Sequence, residues 1–255
     1  MNKYKTALIT GASSGIGKAF ATELAKQNID LILIARREEL LNQIKNFLTD
    51  YNISVTVYPL DLVENTEKYC EIISQHKPDI LINSAGFGRP GLFSNLDIKN
   101  HNEMLEVHIN SVVKSNYEAL KYMLPNEKGL IINVSSLAGL LYGKGYTMYG
   151  STKHFIKDFS QRLSYETLCH KVYVQGLCPG FTYTGFHDTE YYPHFNRNKY
   201  PKFLWQSAEE VAKESLKNYK KNVYVPGRIN KIIYFLSQSF ITKSLVGKFM
   251  KSSKS

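Results

Sequence analysis

The sequence has few of the features that mark secreted or membrane-spanning proteins. It contains only three cysteines, Cys70, Cys169 and Cys178, and none belongs to a Cys-x-x-Cys pair. This number and spacing predict neither a disulfide framework nor a structural zinc site. No apolar stretch is long enough to span a bilayer, and the first residues lead into an apolar segment without the parts of a signal peptide. We therefore predict a cytoplasmic protein in a reducing compartment.

Acidic residues are missing from the end of the chain. Between Pro226 and Ser255 there are six Lys and Arg residues and no Asp or Glu, whereas the chain as a whole has a net charge of +10. Because the excess charge is concentrated in this tail, nucleic-acid binding, which favours a uniformly basic body, is not expected.

The tail also has apolar residues at helical spacing. These apolar residues are Ile229, Ile232, Ile233, Leu236 and Phe240. The lysines that follow them are Lys243, Lys248, Lys251 and Lys254. One interpretation is an amphipathic helix with weak peripheral affinity for an anionic membrane. The other, which we favour, is a helix packed on the body or on a partner subunit.

Short apolar segments alternate with helical ones along the rest of the chain. The predicted strands are 6–10, 31–35, 54–58, 80–82, 130–134, 172–176 and 223–225, and the predicted helices are 15–27, 38–48, 64–75, 102–123 and 149–168. This order predicts an α/β fold, a Rossmann-like, doubly wound parallel sheet of about seven strands flanked by helices. We expect one dinucleotide-binding and catalytic domain over 1–227, with a lid at about 181–205, and a basic tail over 228–255.

A glycine-rich loop separates the first strand from the first helix. It runs Gly11-Ala12-Ser13-Ser14-Gly15-Ile16-Gly17. Glycines permit a tight turn and close approach of a phosphate, and the helix N-terminus offers free N–H groups and a positive dipole end. The loop therefore predicts a site for the pyrophosphate of a dinucleotide, with Gly11, Ser13, Ser14, Gly15, Ile16 and Gly17 as its cofactor-binding residues.

The end of the second strand bears on the choice of cofactor. Enzymes that use NAD place an acid there against the ribose 2′-hydroxyl, but this strand ends Ala35-Arg36-Arg37. Arginines suit a 2′-phosphate, so we predict NADP(H), with Arg36 as the stronger candidate, Arg37 as the second and Ser13 as an additional donor.

Tyr149 and Lys153 form a Tyr-x-x-x-Lys pair at the start of the last helix of the domain. Their spacing puts the phenol and the ammonium on one helix face. A nearby cation favours the phenolate, so we expect Lys153 to lower the pKa of Tyr149 from about 10 toward neutrality. The pair predicts proton transfer by Tyr149.

Together with the glycine loop, this pair resembles the short-chain dehydrogenase/reductase family, and the resemblance extends from about Lys5 to Gly227. The matching positions implied to bind the cofactor are Asp61 and Leu62 at the adenine, Asn83, Ala85 and Gly86 in Asn-Ser-Ala-Gly, and Pro179, Gly180 and Thr184 beside the nicotinamide. Ser84 departs from the family's Asn-Asn-Ala-Gly. The resemblance also implies that Tyr149 and Lys153 contact the cofactor.

The same resemblance implies a catalytic role for each of four residues. Tyr149 would donate a proton to the substrate oxygen, and Ser136, thirteen residues earlier, would polarise the carbonyl. Lys153 would hold the nicotinamide ribose, and Asn110 would link Lys153 to solvent through a water. The cofactor would supply the hydride, and no metal is expected.

Nine aromatic residues lie between positions 181 and 205, where the family has a variable lid. They are Phe181, Tyr183, Phe186, Tyr191, Tyr192, Phe195, Tyr200, Phe203 and Trp205. They favour an apolar carbonyl substrate, of the ketone or 3-oxoacyl type, although packing of an inserted helix onto the body is an equal alternative. The family resemblance further implies a homodimer or homotetramer, assembled through the helices at 102–123 and 149–168.

Two other functions are compatible with this fold. A non-catalytic dinucleotide sensor would keep the cofactor site, but the intact Ser136, Tyr149, Lys153 and Asn110 argue against it. A sugar-nucleotide epimerase or dehydratase uses a similar Tyr/Lys pair, but such relatives are longer and have a different glycine loop.

Overall fold

A parallel sheet of seven strands forms the centre of the fold, as predicted. The computed structural model describes residues 3–189, 191–193 and 195–238. The strands of the main sheet are β1 (Thr6–Thr10), β2 (Asp30–Ala35), β3 (Val55–Pro59), β4 (Ile80–Asn83), β5 (Gly129–Val134), β6 (Val172–Leu177) and β9 (Val223–Tyr224). Two further strands, β7 (Phe181–Tyr183) and β8 (Trp205–Ser207), form a separate parallel pair.

Helices cover both faces of the main sheet. They are α1 (Gly15–Ala25), α2 (Glu38–Phe47), α3 (Thr66–His76), α4 (Ile98–Leu105), α5 (Ser111–Met123), α6 (Thr147–Thr167), α7 (Ala208–Lys217) and α8 (Arg228–Gln238). Apolar side chains of α1, α2 and α7 pack on one face, and those of α3, α5 and α6 on the other. Strands buried on both sides explain why their sequences are apolar without alternation.

The strand order places a crevice at the middle of the sheet. That order is β3-β2-β1-β4-β5-β6-β9. Because right-handed crossovers run in opposite directions from β1 and from β4, the connections diverge at this point. The carboxyl ends of β1 and β4 therefore border an open crevice, which is where doubly wound sheets bind ligands.

The helix predicted over 102–123 is more complex than the periodicity indicated. It begins earlier, as α4, and a π-helical turn, Glu106–Asn110, separates α4 from α5. A π-turn inserts an extra residue and rotates the side chains that follow it. The sequence-based prediction also missed α7, which a reciprocal Ser207–Glu210 capping box begins.

The predicted amphipathic tail is described only as far as α8. Tyr234 of this helix packs against the body, while Ile232 and Phe235 are exposed. The remaining tail positions of the prediction, Phe240 and the four lysines from Lys243 onward, lie outside the described residues. Within the described part of the chain, no helix is long and apolar enough to cross a membrane.

Candidate active site

A cleft of about 960 Å³ opens above the carboxyl ends of the strands. It extends from the glycine loop and the end of β2, past α6, to the segment around β7. Most of the predicted site residues line it, namely Gly11, Ser13, Ser14, Gly15, Ile16, Arg36, Arg37, Asp61, Leu62, Ala85, Gly86, Ser136, Tyr149, Lys153, Pro179, Gly180 and Thr184. Segments far apart in the sequence therefore meet in one cleft.

The glycine positions of the loop are packed too tightly for a side chain. Gly11 has a φ of 66°, and a Cβ there would lie 2.9 Å from the Ser84 carbonyl oxygen. A Cβ on Gly17 would lie 2.3 Å from the Gly11 oxygen. Gly17 therefore packs against the backbone of Gly11, and it does not line the cleft. The Thr10 hydroxyl accepts hydrogen bonds from Ser84 N and Ala85 N, each at 3.1 Å. These contacts hold the loops after β1 and β4 together at the crevice.

Two arginines stand at the end of the cleft next to β2. Arg37 Nη2 is 3.5 Å from the Ser13 hydroxyl oxygen, and Arg36 Nη1 is 3.8 Å from Asp61 Oδ2. The Arg36 side chain is 68% exposed, so its guanidinium is available to a ligand. This corner of the cleft has the charge and the donors that a phosphate requires.

Ser136, Tyr149 and Lys153 come together in the centre of the cleft. Ser136 directly precedes a short helical turn after β5, and its hydroxyl accepts a bond from Ala138 N at 3.1 Å. Lys153 is buried, and its Nζ donates to the Val134 carbonyl at 2.9 Å. The same Nζ is 5.8 Å from the centre of the Tyr149 ring.

The pKa values of this group differ from the expectation. Burial raises the pKa of Tyr149 to about 12, against a lowering effect of its hydrogen bond with Ser136. The expected lowering of the Tyr149 pKa by Lys153 is therefore wrong for this structure, because removal of the phenol from water dominates. Burial also lowers the pKa of Lys153 to about 8. With these pKa values the Tyr149 phenol is protonated at neutral pH, and the charge of Lys153 changes at a pH closer to neutrality than that of an exposed lysine.

Asn110 does not reach this centre. Its side chain is exposed, and its amide donates to Glu106 Oε2 at 2.6 Å. The residue of this helix that lies beside Lys153 is His108, which is completely buried. The two side chains have different surroundings: His108 contacts Thr152, next to Lys153, whereas Asn110 contacts Glu106 and solvent. The predicted link from Lys153 to solvent runs through a water and not through direct contact with the Asn110 side chain, so it stays a prediction; the buried His108 beside Lys153 was not predicted.

Asn83 is also directed away from the cleft. Its side-chain oxygen accepts from the Tyr69 hydroxyl at 2.7 Å, and its nitrogen donates to Asn133 Oδ1 at 2.8 Å. Both partners are buried beneath the sheet ends. The predicted contact of Asn83 with cofactor is corrected to a supporting role, since its bonds hold β4 against β5 and α3.

The predicted lid contains β7, β8 and short 3₁₀ turns, but no α-helix within its described residues. Many of its aromatic rings pack on one another. The rings of His187 and Phe195 are stacked with their centres 3.9 Å apart, and the ring centres of Phe181 and Trp205 are 5.0 Å apart. Burial lowers the pKa of His187 to about 4, so this residue is uncharged at neutral pH. Phe186 instead approaches the Tyr149 ring, at 5.6 Å. The predicted inserted helix is therefore absent from the described residues of the lid, whereas several of its aromatic residues pack on one another and several line the cleft.

An ion pair beside the lid was not predicted from the sequence. Arg89 donates to Glu103 Oε2 at 2.6 Å, and its guanidinium lies 4.2 Å from the centre of the Tyr191 ring. Both charged residues line the cleft and are mostly buried. Nothing local in the sequence indicated this pair, because Glu103 belongs to α4 and Arg89 to a loop.

Helix α8 contributes to the cleft wall as well. Asn230 and Ile233 of α8 line the cleft. A Cβ on Gly180 would lie 2.5 Å from the Asn230 side-chain oxygen, and the amides of Asn230 and Gln206 are hydrogen-bonded at 3.1 Å. The start of α8 is thus packed against the turn that follows β6.

The family model described as short chain dehydrogenase matches residues 5–191, most of the chain. The chain belongs to the short-chain dehydrogenase family. Its members are oxidoreductases that act with a nicotinamide dinucleotide, which fits a cleft bordered by a glycine loop and a Ser–Tyr–Lys group. The family assignment made from the motifs is therefore confirmed.

Named relatives include reductases of 3-oxoacyl thioesters. The chain is 28% identical to the very-long-chain 3-oxoacyl-CoA reductase of Rattus norvegicus, over 97% of this chain and 83% of the relative. It is 29% identical to the 3-oxoacyl-acyl-carrier-protein reductase FabG of Rickettsia bellii, over 88% of this chain and 93% of the relative. A short-chain dehydrogenase of Sphingobium yanoikuyae, solved in complex with NADPH, superposes with a TM-score of 0.79 at 25% identity and 87% coverage of both chains.

Proposed function

We propose that this short-chain dehydrogenase is an NADP(H)-dependent reductase of an apolar carbonyl compound, a ketone or a 3-oxoacyl thioester. The observation that carries the proposal is the placement of Ser136, Tyr149 and Lys153 in one cleft with the Arg36–Arg37 corner. When bound, the cofactor supplies the hydride. The protein provides the orientation, the proton and the exclusion of water.

The cleft residues fit a phosphorylated dinucleotide. The glycine loop leads into the N-terminus of α1 at Gly15, where free backbone N–H groups and the positive end of the helix dipole can face a phosphate. Arg36, Arg37 and Ser13 would hold the 2′-phosphate, while Asp61 and Leu62 would border the adenine. Lys153 would bind the nicotinamide ribose, and Pro179, Gly180 and Thr184 would border the nicotinamide.

The proton is delivered by Tyr149. Its phenol is protonated at neutral pH because burial keeps its pKa high, so it can donate to the oxygen of a carbonyl undergoing reduction. Ser136, whose hydrogen bond with the phenol opposes this rise, would hold the same oxygen in place. The C=O double bond would become a single bond: its carbon would gain the hydride that the bound cofactor would supply on oxidation to NADP⁺, and its oxygen would gain the phenolic proton, which leaves Tyr149 as a phenolate to be reprotonated from solvent.

The wall opposite the catalytic group supports an apolar substrate. Phe186 faces Tyr149, and Tyr192 lies 5.7 Å from Phe186 between ring centres. The Arg89–Glu103 pair carries no net charge, so this side of the cleft offers little to an anionic group. The names of the two 3-oxoacyl reductases agree with this preference.

A substrate series followed by the loss of NADPH absorbance tests the proposal. It should contain 3-oxoacyl thioesters of increasing chain length and bulky ketones, each measured with NADPH and with NADH. We expect turnover with NADPH that improves with apolar length. Absence of turnover across the series, together with tight NADPH binding, would favour a dinucleotide sensor.

The matched controls come from α6. Tyr149→Phe should abolish most of the turnover, whereas Tyr165→Phe, on the same helix but 69% exposed, should leave it unchanged. Equal effects of the two substitutions would show that the loss reflects helix stability and not proton transfer.

The proposal extends to assembly and location. Exposed aromatic residues on α5 and α6, Tyr117 and Tyr165, support a homodimer or homotetramer formed through these helices, and the location proposed from the sequence is the cytoplasm. The exposed Ile232 and Phe235 of α8, beside a basic tail, support weak peripheral contact with an anionic membrane. Sedimentation velocity would distinguish these assemblies from a monomer.

A further inference from the structure

His108 is a buried polar residue to which the predicted mechanism gives no role. It belongs to the π-turn Glu106–Asn110 and is completely buried. A Cβ on Gly86 would lie 3.0 Å from His108 Nε2 and 3.3 Å from Lys153 Nζ, so both side chains converge on the same cofactor-binding loop. The Tyr149 ring is also a neighbour, with its centre 5.9 Å from that of the imidazole.

The hydrogen bonds of the imidazole determine which nitrogen carries the proton. Phe87 N–H points at Nε2 over 3.2 Å, so Nε2 is the acceptor. Nδ1 is 2.9 Å from the Thr152 hydroxyl oxygen, and that hydroxyl donates to the Tyr149 carbonyl at 3.0 Å. Because the Thr152 proton is already used, Nδ1 must be the donor. A neutral imidazole protonated on Nδ1 satisfies all these contacts.

We propose that His108 is a positioning residue that joins the loop after β4 to the catalytic helix α6 and so sets the position of Lys153. One nitrogen holds Phe87, next to Gly86, and the other holds Thr152, next to Lys153. Its neutrality also matters, since an imidazolium here would stand buried beside the Lys153 ammonium; burial and Lys153 both lower the pKa of His108. The kinetic part of this inference rests on the proposed reductase activity.

Two conservative substitutions separate the two bonds. The amide nitrogen of an asparagine occupies roughly the place of Nδ1, so His108→Asn retains a donor to Thr152. The amide oxygen of a glutamine reaches roughly the place of Nε2, so His108→Gln retains only the acceptor for Phe87. If the bond to Thr152 positions Lys153, kcat should fall by about tenfold in His108→Gln and be largely rescued in His108→Asn. Thr152→Val should resemble His108→Gln, and the double variant should be no worse than either.

His101→Asn is the matched control. His101 is buried on α4, and Nε2 lies 3.0 Å from the Phe93 carbonyl, away from the cleft lining. This substitution should lower the melting temperature without changing kcat. If His108→Asn, His108→Gln and His101→Asn all retain the wild-type kcat, or all lose it in proportion to stability, His108 has no positioning role.

Nitrogen NMR of the wild-type imidazoles provides a readout independent of turnover. We expect the His108 signal, assigned by its loss in His108→Asn, to show a protonated Nδ1 and an unprotonated Nε2. It should remain unchanged through pH 6.5, where an exposed histidine titrates. A protonated Nε2 or titration near pH 6.5 would overturn the inference. Failure of the wild type to reduce any carbonyl would count against the proposed reductase alone, because the tautomer would still be measured.

Discussion

The cofactor side of the cleft and the aromatic lid are built in different ways. On the cofactor side, the loop from Gly11 to Gly17 makes its contacts mainly through backbone atoms packed at close range. In the lid, side chains from distant positions, such as Phe181 and Trp205, stack on one another. A backbone-built site requires particular residues at particular spacings, whereas a side-chain cluster tolerates many combinations of similar size.

This difference accounts for what the sequence could predict. Strand positions, the glycine loop and the Tyr149–Lys153 pair are local patterns, and the structure brings them to one cleft. The burial of Asn83 and the placement of His108 beside Lys153 depend on tertiary contacts and on a π-turn, which periodicity does not show. The Arg89–Glu103 pair likewise joins two segments that only the fold brings together.

The largest expected effect is that of Tyr149→Phe, at the border of the two regions. The substitution retains the ring beside Phe186 but removes the proton donor, so turnover should fall by about 10²–10⁴-fold, the usual contribution of a general acid. The Kd for NADPH, measured by fluorescence titration, should change by less than about twofold. A comparable loss of NADPH affinity would mean that the phenol belongs to the cofactor side.

Arg36→Asp should weaken NADPH binding by about 30- to 100-fold, because a charge-assisted bond worth roughly 2–3 kcal/mol is lost and an acid is introduced. NADH binding should be unaffected. Arg37→Ala, which leaves Arg36 in place, should weaken NADPH by less. Calorimetric titration of both cofactors tests this, and tighter binding of NADH than NADPH by the wild type would contradict the assignment of this corner to a phosphate.

Changing the pH should act on the cofactor side through Lys153. Burial lowers its pKa to about 8, so its charged form prevails below that value and is lost as the pH rises. If the ammonium holds the ribose, NADPH affinity should decrease by about tenfold between pH 7 and pH 9. The Lys153→Met variant should bind NADPH weakly and without this pH dependence. If the NADPH affinity of the wild type does not change with pH, the charge of Lys153 does not contribute to cofactor binding.

Phe186→Ala tests the lid alone. The ring is half-buried against Tyr149, so its removal should raise KM for an apolar ketone by about fivefold through lost contact area. Steady-state kinetics with a short and a long substrate should show the larger effect for the long one, while NADPH affinity stays constant. Equal effects on both substrates would assign Phe186 to packing within the lid.

The smallest effect is expected at the exposed face of α8. Replacing both Ile232 and Phe235 by serine should reduce the weak co-sedimentation with anionic vesicles by about two- to threefold at physiological salt. Neutral vesicles are the control for the basic tail. Tight binding that salt does not weaken would show that the apolar face dominates over charge.

The contact between α8 and Gly180 limits where the chain can be shortened or joined to another protein. Asn230 fills the space that a side chain on Gly180 would occupy, and it also bonds to Gln206 of β8. A truncation ahead of Arg228 would remove the part of the cleft wall that Asn230 and Ile233 form. Purification tags and fusion partners should therefore be attached after Gln238, so that the enzyme under assay retains its whole cleft.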